Sequence, residues 1–151
     1  MRALRLLLIL LLISGSSLNV RAASAKILKV LPHLLDLKGR HTLSPSLYER
    51  DAYQAYLRLH PEERSGLRFD VHWKSATVSR PTLRVELRGA RAKEPTTAVV
   101  QGVVKATGLF SHWSAVTLSG TDYEKFGELV AWRATLWDGE NQVAEQRSFL
   151  W

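Results

Sequence analysis

From Gly66 onward the chain alternates apolar and polar positions. In GLRFDVHWK, Leu67, Phe69, Val71 and Trp73 share one side, and Arg68, Asp70, His72 and Lys74 share the other. In PTLRVELRG, Leu83, Val85 and Leu87 oppose Arg84, Glu86 and Arg88. A period of two is the mark of antiparallel strands with one buried face. Lys74 placed opposite Arg80 makes Asp70 meet Arg84, Arg68 meet Glu86, Phe69 meet Val85 and Val71 meet Leu83. A slip of two residues sets like charges against each other. The two strands are therefore expected to form a hairpin. Further strands are expected at Thr97–Ala106, about Ser114–Leu118, Glu128–Trp137 and Gln142–Leu150, with a short turn or helical piece at Thr121–Phe126. Ile27–Leu37 is apolar but contains Pro32, which fits an edge strand.

One stretch breaks the alternation. Ser46 with Glu49 is a capping-box pattern, and His60-Pro61 closes the segment. Tyr48, Ala52, Ala55, Tyr56 and Leu59 recur at helical spacing, which predicts a helix over 46–59 with that stripe packed inward. The rival is a strand, because Tyr53, Ala55, Leu57 and Leu59 also alternate.

In the last hairpin, Gly139-Glu140 suits a two-residue turn of type II′. Asp138 then meets Asn141 and Trp137 meets Gln142. Continued without interruption, this register opposes Leu136 with Val143, Trp132 with Arg147 and Val130 with Phe149. Val130, Trp132, Ala134, Leu136, Val143 and Phe149 would form the core face, with Arg147 over the Trp132 ring. Trp137 has the other parity, together with Arg133 and Thr135, and is the best candidate for an exposed ring. Trp113 and Trp151 are candidates of the same kind.

Together these elements predict a mainly β domain: an antiparallel β-sandwich of immunoglobulin-like or fibronectin-like architecture with one helix on its N-terminal side. The Cys…Trp…Cys pattern of antibody domains is missing. The alternative is an α+β fold with the helix packed on a curved antiparallel sheet.

Composition changes this picture at the N-terminus. Met1–Arg5 is basic, Leu6–Ile13 is apolar and Ala23-Ser24-Ala25 fits a cleavage site, so residues 1–25 are expected to be a secretory signal peptide. The apolar run of eight residues is too short for a bilayer span, which needs about 20. A single domain, 26–151, follows. The chain has 21 Lys+Arg and 14 Asp+Glu, for a net charge of +7, and losing Arg2, Arg5 and Arg21 lowers that to +4. This excess is small and the chain is expected to be exported, so nucleic acid is not an expected partner. The absence of cysteine removes disulfides and thiolate sites and leans toward bacterial export, periplasmic or secreted.

Motif searches yield little chemistry. His33, His41, His60, His72 and His112 have no metal-ligand spacing, and no nucleophile elbow or phosphate loop is present. Neither a cofactor, a metal nor a catalytic residue is expected, and an enzyme would need a pocket joining His72 or His112 to a carboxylate. Residues 64–93 carry eight basic and two acidic side chains. The plainer reading is a solvated charged face that blunts strand edges. The functional reading is contact with an anionic glycan or envelope polymer. The expected function is a non-catalytic envelope module that binds protein or polymer. The alternative is a small glycan-binding domain that stacks sugars on exposed tryptophans. Candidate binding residues are Trp113, Trp137, Trp151, Arg84 and Arg88.

Overall fold

The computed structural model describes residues 25–76, 78, 80–105 and 111–151. The expected leader lies outside the described residues up to position 24, and Ala25 is already the first, buried residue of β1. In chain order the elements are β1 (Ala25–Asp36), α1 (Leu47–Leu59), β2 (Arg64–Ser75), β3 (Thr82–Arg91), β4 (Glu94–Val103), β5 (His112–Ser119), α2 (Gly120–Phe126), β6 (Glu128–Asp138) and β7 (Asn141–Arg147). They form two antiparallel sheets, of order β1-β2-β5 and β4-β3-β6-β7. This is the mainly β, two-sheet arrangement that the alternation predicts, and not a helix on one curved sheet.

Both sheets give alternate residues to one apolar layer. Phe69, Val71 and Trp73 of β2 meet Leu83, Val85 and Leu87 of β3 and Ala134 and Leu136 of β6 in a single cluster. Burial of each large side chain contributes about 1.5–3 kcal/mol. Trp73 is wholly buried and donates its indole N–H to Ser114 Oγ at 3.0 Å, so its polar atom is satisfied.

The expected β2–β3 hairpin does not form. β2 pairs with β1 and β5, whereas β3 pairs with β4 and β6. The two strands face each other across the core, where the same alternation is satisfied without any hydrogen bond between them. Their charges pair differently too. Asp70 takes Arg68 and His33, and Glu86 takes Arg84 and Arg133.

The last hairpin begins as expected, with Asp138 opposite Asn141 and Trp137 opposite Gln142. A bulge then shifts the register, so Leu136 meets Ala144 and Arg133 meets Arg147. A second irregularity, between β3 and β6, skips Val130, which turns outward at 49% exposure while Leu129 packs on the core. Phe149 lies past the end of β7 and is fully exposed. Trp132, Ala134, Leu136 and Val143 keep the core side; Val130 and Phe149 do not.

The helix is present and Ser46 caps it by accepting the Glu49 N–H. Its inward face is different from the one expected. Gln54 and Leu57 are buried, whereas Tyr48 and Leu59 are 84% and 79% exposed. The helix covers the open edge of β1, where free backbone groups need polar partners. The Gln54 amide supplies them: Oε1 accepts the Leu34 N–H at 2.8 Å, and Nε2 donates to the carbonyls of Leu34 at 2.9 Å and His41 at 2.8 Å. Arg64 fastens the other end. Its guanidinium donates to the carbonyls of Leu57 and Arg58 and pairs with Glu128 at the start of β6.

Asp36 closes β1. Its carboxylate accepts the backbone N–H groups of Lys38 and Arg40, the Arg40 guanidinium and the Tyr53 hydroxyl. Burial alone would raise its pKa, but these hydrogen bonds outweigh it and hold the group at about 2 instead of 3.8. Folded pKa below unfolded pKa means that the stabilisation is present above pH 3.8 and is lost as pH falls toward 2. Melting temperatures measured across that window should fall less steeply for Asp36→Asn than for the parent, and the variant should be less stable at neutral pH.

The β3–β4 turn gives a second expectation. Arg91 pairs with Glu94, and both residues between them have positive φ, 50° at Ala92 and 72° at Lys93. This is a type I′ turn, which favours Asn-Gly. Ala92→Asn combined with Lys93→Gly should raise unfolding stability by roughly 1 kcal/mol in a denaturant titration.

Candidate binding face

The outer face of the four-stranded sheet is set by register. Thr82, Arg84, Glu86 and Arg88 of β3 lie beside Trp137, Thr135, Arg133 and Ala131 of β6. On the other side they meet Val103, Gln101, Val99 and Thr97 of β4. The parity that drives Leu83, Val85 and Leu87 into the core fixes this face as their complement.

Its side chains are linked. The Trp137 indole N–H donates to Thr135 Oγ1 at 2.8 Å, and Thr135 Oγ1 donates to the Arg84 carbonyl at 3.3 Å. Glu86 sits between two guanidiniums, with Arg84 at 3.0 Å and Arg133 on its other oxygen. Arg133 and Arg88 both lie over Trp151, with their guanidinium carbons 5.1 Å and 4.1 Å from its ring centre. The chain reaches that place because Ser148 continues the pairing beyond β7: its N–H donates to the Trp132 carbonyl at 2.9 Å, and its hydroxyl accepts the Trp132 N–H at 3.0 Å. The cation–π partner of the C-terminal region is therefore Trp151, and not Trp132 under Arg147.

A shallow groove of about 200 Å³ runs along Thr82, Arg84, Gln101, Trp137 and Gly139. Arg84 lines it with its Nη2 held 3.0 Å from Glu86 Oε1, and its Nε is buried without a hydrogen-bond partner.

Four of the five candidate residues, Trp137, Trp151, Arg84 and Arg88, thus share one face. Trp113 does not. It is 53% exposed on the outer face of the three-stranded sheet, stacked on His72 with ring centres 4.7 Å apart. The basic segment is divided in the same way. Arg68 and Lys74 lie on β2, Arg84 and Arg88 on β3, and Arg64 is spent on the helix end and Glu128. Arg133 and Gln101 complete the face without having been singled out. Arg133 was visible through its parity with Trp137, whereas Gln101 required the β3–β4 register.

The polar cluster under α1 involves other groups. His33 Nε2 is 3.4 Å from Asp70 Oδ2, and the His33 and His41 rings are 5.0 Å apart. Burial lowers the pKa of His33, opposed by the Asp70 carboxylate and reinforced by His41, Arg50 and Arg68. Burial likewise lowers that of His41, with Arg68 and Arg50 acting in the same direction against Asp70. Arg68 donates to the remaining Asp70 oxygen at 2.8–2.9 Å, so this carboxylate is engaged on both sides. His72 stacks on Trp113, His112 lies tilted at 51° against Trp73, and among the described residues the histidine–carboxylate contacts are His33–Asp70 and His60–Glu62. His60, Glu62 and Glu63 could together reach one ion, but His60 and the Tyr56 hydroxyl already occupy the two carboxylates.

The chain matches no family model, no curated protein and no solved structure.

Ring exposure gives a direct check of this layout. Trp113→Phe should remove the largest share of acrylamide-quenchable tryptophan emission, and Trp73→Phe should leave the quenchable emission unchanged. Arg88→Ala should make Trp151 easier to quench.

Proposed function

We propose that this chain is a non-catalytic binding module of the cell envelope, and that the outer face of its four-stranded sheet holds an extended anionic polymer. The observation that carries this reading is the line Trp137, Arg84, Arg133, Trp151, Arg88 on one face. Trp137 and the Arg133 row under Trp151 are four residues apart along β6, or roughly 13 Å at strand rise. Two rings at that spacing suit two sugar units of one chain, each stacked by its apolar face. The arginines between them suit carboxylate or phosphate groups on the same chain. The secretory leader expected at residues 1–25 would deliver the domain to such polymers. A face built from rings and guanidiniums, with its carboxylate Glu86 held by Arg84 and Arg133, suits holding a ligand.

The experiment is calorimetric titration with an acidic polysaccharide such as polyuronate, with dextran as the neutral control. Binding is expected for the acidic polymer alone, and more weakly as salt rises. Trp137→Ala and Trp151→Ala should each weaken it about tenfold, equivalent to about 1.4 kcal/mol. Arg84→Gln with Arg88→Gln should weaken it and flatten its salt dependence. Equal binding of dextran, or affinity untouched by the paired tryptophan substitutions, would overturn the proposal.

A further inference from the structure

The two sheets leave four edge strands, β1 and β5, β4 and β7. An edge presents unpaired backbone N–H and C=O groups, and proteins blunt such edges with proline, charge or a covering element. β1 is blunted twice, by Pro32 and by the Gln54 amide on Leu34. β7 is short and carries Glu145 and Arg147. β5 spans eight residues, against ten for β4.

Among the described residues β4 is the least guarded, with α2 beside its first half only, where Thr96–Val99 share a groove with Asp122, Lys125 and Phe126. From Thr96 to Val104 it reads TTAVVQGVV, without a charge. Its outward side chains include Val99 and Val103, which are 52% and 75% exposed. The direction of its backbone groups follows from one bond. The Val104 N–H donates to the Pro81 carbonyl at 2.9 Å, and Thr82 lies opposite Val103. Backbone groups alternate along a strand, so Val104, Gly102, Val100 and Ala98 point toward β3. Thr97, Val99, Gln101 and Val103 point their N–H and C=O groups to the open side. The residues with exposed side chains on the binding face are thus also those with free backbone groups.

We infer that β4 pairs antiparallel with β4 of a second copy of this chain, joining the two four-stranded sheets into one of eight. The strand is its own complement. With Gln101 opposite Gln101 on the two-fold axis, Val99 of each copy lies opposite Val103 of the other. Four exposed valines become two apolar cross-strand pairs. Gln101 amides meet at the axis, and Pro95, which has no N–H, stays outside the paired stretch. From Thr97 to Val103 the strand itself carries no charge, and two charged groups of α2, Asp122 and Lys125, line the groove beside Thr97 and Val99. The pairing also sets two Trp137–Arg84 grooves, each lined by Gln101, on one continuous face.

The chain contains no cysteine, so single cysteines report the geometry cleanly. At a hydrogen-bonded pair the Cα atoms stand about 5.5 Å apart, within disulfide range. Gln101→Cys should therefore form a covalent dimer under mild oxidation. Thr97→Cys, with its two copies roughly 27 Å apart in this register, should do so at least tenfold less. Sedimentation of the parent protein should show a dimer that grows with concentration. Val99→Pro removes an N–H that points away from β3, so it should weaken dimerisation at least tenfold while its melting temperature stays near the parent value. A parent that sediments as a monomer up to millimolar concentration overturns the inference. So does equal cross-linking at positions 97 and 101, or a Val99→Pro variant that folds and dimerises like the parent. Because none of these readouts involves the polymer, failure here is distinct from failure of the binding proposal.

Discussion

Two sheets share a single apolar layer, and the other features of this molecule follow from that sharing. Each strand sends every second side chain inward, to Phe69, Trp73, Leu83, Val85 or Leu136. The remaining side chains have no choice but the outside. The line of arginines and tryptophans on β3 and β6 is the complement of the core, held in register by the same backbone ladder. Rigidity of the face is therefore inherited from the packing behind it, and its side chains need only short links, such as Glu86 between Arg84 and Arg133, to be fixed.

The strands were legible in the sequence because period two is a local property. Their pairing was not. Alternation in GLRFDVHWK and PTLRVELRG is equally satisfied by two strands side by side or by two strands facing each other through the core. The charges seemed to settle the matter, since Asp70 and Glu86 matched Arg84 and Arg68 across a hairpin. In the fold each acid is met by an arginine two residues away on its own strand, a contact that leaves no trace of sheet membership. Bulges added a second limit. One skipped residue at Val130 reverses parity for everything before it, and no side chain there announces the slip.

The binding face was legible where it depends on parity alone. Trp137 with Arg133 and Thr135, and Arg84 with Arg88, could be placed on outward positions from the sequence. Trp151 could not, because its position depends on Ser148 pairing with Trp132 beyond the end of β7. The helix misled for a related reason. Its apolar stripe resembled a core face, but the place it had to fill was a strand edge, and hydrogen-bonding capacity counted for more there than hydrophobicity. Gln54 therefore points inward while Tyr48 and Leu59 face water.

Arg64 carries a consequence for how the molecule comes apart. Its guanidinium is almost sealed from solvent, with 5% of the side chain exposed, and it holds the last carbonyls of α1 and Glu128 at once. A helix that merely leaned on an edge would fray by itself, exchanging its amide hydrogens long before the sheets opened. Here, release of the helix takes two carbonyl acceptors from a buried guanidinium that also holds Glu128 at the start of β6. The helix and the four-stranded sheet are thereby coupled into one cooperative unit, although they meet at little more than a single side chain.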